Sequence, residues 1–94
     1  MMMQPRRSPH KVRFGLLTGL CYALREHGCA STLVCPWRGE SVLYVPYPAS
    51  TAKPLAVTAV EHHDRWVFAF GSCTTGTGDV REAAARVTRV VGAR

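Results

Sequence analysis

Ninety-four residues with 47% hydrophobic and 19% charged side chains make one globular domain around one modest core. No apolar run reaches the roughly 20 residues of a membrane helix, so no membrane partner is expected. The formal charge of +6 points first to nucleic acid, but Arg6, Arg7, Lys11 and Arg13 concentrate it at the start of the chain, and the rest is close to balanced.

Residues 1–13 are polar, basic and interrupted by Pro5 and Pro9. They read as a disordered basic arm, leaving 14–94 as a single α+β domain. Arg6, Arg7, Lys11 and Arg13 are the candidate nucleic-acid contacts of that arm. The short apolar patch after it runs into Arg25-Glu26-His27 without a small-residue cleavage site, so the sequence predicts a cytoplasmic protein and no secretory leader.

From about Leu16 to Glu26 the pattern is helical. Leu17, Leu20, Cys21 and Leu24 form one stripe at i, i+3, i+4, i+7, and Gly28 is a natural terminator. Two strands follow, Ser31 to Cys35 and Ser41 to Val45, joined by a turn through Pro36-Trp37-Arg38-Gly39-Glu40. Pro46 and Pro48 stop the second strand. Trp37 in a turn and Tyr47 between prolines are expected to fold back over the sheet edge; the alternative is a partner-binding surface.

Leu55 to Glu61 and Trp66 to Phe70 read as the third and fourth strands around a polar His62-His63-Asp64-Arg65 turn. The two-residue period puts Trp66, Phe68 and Phe70 on one face, the densest apolar surface of the chain. Adjacent histidines splay, and nothing fixes a third ligand, so the pair reads as a solvated turn. Gly71 to Gly78 reads as a small-residue loop. Asp79, with Glu82 three residues on, then starts a helix whose inward stripe is Val80, Ala84, Val87 and Val91 and whose stop is Gly92.

That loop is the best candidate for chemistry. Gly76, Gly78 and Asp79 mark a candidate anion-binding loop at a helix N-terminus. A phosphate loop of the G-x-x-x-x-G-K-[ST] type would need a lysine where Thr77 stands, and Asp79 puts negative charge where the anion would sit. Cys73 and the histidines lie at opposite ends of one strand, too far apart for a thiol–imidazole pair. The acidic residues are scattered, without a catalytic pair. Cys21, Cys29, Cys35 and Cys73 match no zinc spacing and read as free thiols. The expectation is a protein without catalytic residues, metal or cofactor.

The run Leu20 to Gly28, the Leu43-Tyr44-Val45 strand before prolines, Trp66-Val67-Phe68-Ala69-Phe70-Gly71, and Asp79-Val80 with Ala83, Ala84, Val87, Val90, Val91 and Gly92 resemble a class of small uncharacterised actinobacterial α+β proteins. The resemblance covers residues 16–92 and rests mostly on core positions. It implies a regulatory setting and carries over no catalytic residue. The fold expected is two-layer α-β-β-β-β-α, with a four-stranded, mostly antiparallel sheet and both helices on one face. The function expected is a non-enzymatic protein-interaction or regulatory module, self-association included. The alternative is a nucleic-acid-binding accessory protein that uses the basic arm.

Overall fold

The computed structural model describes residues 9–50 and 53–92. The chain runs α1 (Pro9–Glu26), β1 (Thr32–Val34), β2 (Val42–Val45), β3 (Leu55–His62), β4 (Arg65–Phe70), β5 (Cys73–Gly76) and α2 (Val80–Val91). It is an α+β domain. Its five strands form one open antiparallel sheet in sequential order.

Two expectations need correction. The first helix begins at Pro9 instead of near Leu16, so residues 9–13 of the expected disordered arm are helical. Proline suits the first helical position, where its missing N–H has no partner to lose. Apolar periodicity does not mark this earlier turn, because its inward position is held by Arg13. The buried stripe is Arg13, Leu17, Leu20 and Leu24, with a cation where periodicity asks for an apolar residue. Second, the sheet has five strands, not four. Half of the expected Gly71–Gly78 loop is β5. Cys73 pairs with Phe70 across the two-residue connection Gly71-Ser72, and Gly71 takes φ 58, the left-handed region open to glycine. Thr74 and Thr75 then pair back onto β4. This strand has no apolar alternation to announce it. It forms because β4 offers it a ladder.

The β3–β4 hairpin also turns in two residues. His63 and Asp64 have φ 51 and 64, the paired positive values of a type I′ turn, for which asparagine and glycine are the easier occupants. Aspartate tolerates that region better than most residues.

Strand parity sorts the sheet into two faces. Leu43 and Val45 of β2, Leu55, Val57 and Ala59 of β3, and Phe68 and Phe70 of β4 are buried and pair across strands in register. They belong to one core with Leu17, Leu20, Ala23 and Leu24 of α1 and Ala83, Ala84, Val87 and Val91 of α2. The two helices also pack on each other, where the alanines of α2 permit close approach.

The helix ends are well made. Asp79 Oδ1 accepts from the N–H groups of Arg81 and Glu82, both at 3.1 Å. Such a cap stabilises a helix by about 1 kcal/mol. Glu82 turns to Arg86 at 3.4 Å instead of back to the cap, so only half of a capping box is made. Gly28 and Gly92 take left-handed φ of 73 and 76 at the two C-termini.

Candidate functional site

The sheet has a second face. Along its middle runs the row Val34, Val42, Thr58, Ala69 and Thr74. Val34 pairs with Val42, Thr58 with Ala69, and Ala69 with Thr74; the β2–β3 register carried one step further sets Val42 beside Thr58. Thr32, Tyr44 and Ala56 make the row on one side. Val60, Val67 and Gly76 make the row on the other. No side chain of the three rows is charged, and none joins the core. At one end of this face His62 pairs with Arg65. On a water-facing sheet the outward positions are normally polar and charged. Here they are valine, alanine, threonine and tyrosine.

The second feature is the β1–β2 turn. Trp37 is 96% exposed, and so does not fold back over the sheet as expected. Tyr47 does pack against the core. Gly39 takes φ 103, which lets the chain reverse just after the tryptophan. The turn reaches the start of α1, and His10 lines a groove of about 430 Å³ together with Pro36, Trp37, Arg38, Gly39 and Ser41. Helix and strands far apart in sequence thus bring His10 beside Trp37, a juxtaposition that residue spacing could not reveal.

Arg13 holds the two parts together. Its Nε donates to the Ala59 carbonyl at 2.9 Å. Its guanidinium pairs with Glu40 at 3.4 Å and lies 5.5 Å from the Trp66 ring centroid. A buried guanidinium needs such partners to offset its lost hydration. The candidate arm residues therefore separate. Arg6 and Arg7 lie outside the described residues, Lys11 is exposed on α1, and Arg13 is buried as a clamp between helix, sheet and turn.

The candidate anion loop is also taken apart by the fold. Gly76 is the last residue of β5, opposite Val67. The Asp79 carboxylate already accepts from the amides of Arg81 and Glu82, which an anion there would need. Thr77 donates its hydroxyl to the Trp66 carbonyl at 3.1 Å. Gly76, Thr77 and Gly78 do line a groove of about 440 Å³ with Arg65, Trp66 and Val67, at the rim of the outer sheet face.

Cys73 and His62 stand at opposite ends of β4, opposite Phe70 and Arg65. The rings of His62 and His63 meet edge to face with centroids 4.2 Å apart. Among the described residues no three His, Cys, Asp or Glu side chains gather as a metal site. The four cysteines are free. Burial pushes the Cys29 thiol above its ordinary range, partly offset by the Thr88 hydroxyl; the two fall short of hydrogen-bond geometry, since Thr88 Oγ1 has no partner among the described residues. Among those residues no helix is long and apolar enough to cross a membrane.

No family model, curated protein or solved structure matches the chain. Function rests on the geometry alone.

Proposed function

We propose that the protein is a small, non-enzymatic protein-interaction module that pairs with a second copy of itself through the outer sheet face. The observation that carries this reading is the uncharged Val/Ala/Thr/Tyr face of the five strands, in a chain with a formal charge of +6. Two cationic protomers repel wherever their charged surfaces meet. This face lets them approach without apposing like charges, and stacked sheets bury such side chains between them. Five strands and three rows of side chains span roughly 20 Å by 20 Å. Stacking two copies then removes on the order of 1,000 Å² in total, the foot of the range for specific interfaces. The dimer expected is weak and reversible.

The reading has both helices over the opposite face, which their shared core with Val57, Phe68 and Phe70 and their contact with each other support. It also has the protein in the cytoplasm, where the exposed thiols of Cys35 and Cys73 would stay reduced.

Sedimentation equilibrium from low to high micromolar concentration is the test. The mass should rise with concentration toward twice the monomer. Val67→Lys, on β4 in the row of Val60 and Gly76, should hold the chain monomeric, whereas Val90→Lys on α2 should not. A strict monomer at high micromolar concentration overturns the reading, as does a dimer that Val67→Lys leaves intact.

A further inference from the structure

We infer that the groove between the β1–β2 turn and the start of α1 binds single-stranded nucleic acid, with Trp37 as the base-stacking platform and Arg38 and Lys11 as phosphate contacts. This site is separate from the outer sheet face and includes residues outside the expected basic arm.

A tryptophan taken into a core buries roughly 150–250 Å². At 96% exposure Trp37 contributes almost nothing of that to folding. The turn is nevertheless built to display it. Pro36 restricts the chain before it, and Gly39 at φ 103 sends the chain back after it. Arg13 holds Glu40 at 3.4 Å and so ties the base of the turn to α1. The same ion pair occupies the acidic side chain of the turn. Arg38 and Lys11 are exposed and enter no ion pair among the described residues. The groove wall adds His10, and the first turn of α1 holds no acidic residue. Arg6 and Arg7 precede this point in the chain.

An uncovered aromatic ring among unpaired cations is the arrangement that sequence-tolerant single-strand binders use: bases stack on the ring while arginine and lysine follow the phosphates. A duplex hides its base faces and could use only the cations. A mononucleotide site would enclose roughly 70–90% of its ligand, whereas Trp37 lies open. A strand crossing the groove draws on several bases and phosphates at once and needs no enclosure.

The test is fluorescence anisotropy with a labelled oligothymidine of about 20 nucleotides, followed from about 50 mM salt upward. The full chain should bind it more tightly than a duplex of the same length. Trp37→Ala should weaken binding roughly tenfold with its salt slope unchanged, and Trp37→Phe should recover most of the loss. Arg38→Ala should weaken binding and lower the slope by about 0.7, the share of one phosphate contact on a single strand. Arg81→Ala on α2 should do neither. Because Trp37 and Arg38 are exposed, thermal melting of these variants should match the parent. The proposal is overturned if the oligothymidine does not bind at low salt, if Trp37→Ala binds within about twofold of the parent, or if Arg81→Ala costs as much as Arg38→Ala. Thymidine monophosphate that competes as well as the strand would overturn it in favour of a nucleotide site. A Trp37→Ala change that alters only the sedimenting mass would make the turn a protein contact.

Discussion

Thr88 carries a hydroxyl that the fold does not use. The residue is buried on α2, and among the described residues its Oγ1 has no hydrogen-bond partner. An unsatisfied buried polar group costs about 1–3 kcal/mol, and an apolar group of the same shape removes that penalty. Valine is nearly isosteric with threonine and has a similar helix preference. Thr88→Val is therefore expected to stabilise the domain by about 1 kcal/mol, read as a higher urea midpoint with an unchanged slope. A destabilised variant would mean that Cys29 is a true partner of the hydroxyl. Arg13 is the opposite case. Its charge type suggested a solvated arm, and only the folded chain shows its guanidinium spent on Ala59, Glu40 and Trp66.

Each helix reaches its length differently. The second combines a satisfied cap, an inward stripe and a glycine stop, and every one of those signals is local, so its boundaries were legible from the residues. The first carries Gly15 and Gly19 in its body, each unfavourable by about 1 kcal/mol relative to alanine. A Cβ at either position meets no atom within 4 Å. Gly15→Ala and Gly19→Ala are each expected to raise stability by about 0.5–1 kcal/mol, with the pair near-additive, in urea unfolding followed by circular dichroism. A loss at either site would point to a requirement for glycine that the monomer does not contain. Among the strands, β4 announced itself through Trp66, Phe68 and Phe70. β5 did not, because Cys73-Thr74-Thr75-Gly76 is exposed except for the half-buried Thr75 and has no apolar stripe.

At the scale of the whole molecule, charge and apolar surface are segregated. The outer sheet face is neutral across its three rows, while the turn and the start of α1 gather cations. The two proposed contacts should then respond to salt with opposite signs. Screening relieves repulsion between two cationic protomers, so raising salt should hold or strengthen self-association. The same change releases the counterion advantage of a strand on Arg38 and Lys11 and should weaken nucleic-acid binding steeply. Sedimentation and anisotropy over one salt series read both. Self-association that falls with salt would place ion pairs, not the Val67 face, at the interface.

The sequence by itself determined Leu17, Leu20 and Leu24 of the α1 stripe, Ala84, Val87 and Val91 of the α2 stripe, the aromatic face of β4, both C-terminal glycines and the Asp79 cap. Each of these is decided by a residue and its neighbours within a turn or two. The tertiary structure decided the rest. It made a strand of Cys73 to Gly76 through pairing with β4, buried Arg13, and carried Trp37 to His10. It also aligned Val34, Val42, Thr58, Ala69 and Thr74 into one uncharged row. Register and docking join residues distant along the chain, and no local pattern encodes which of them will meet.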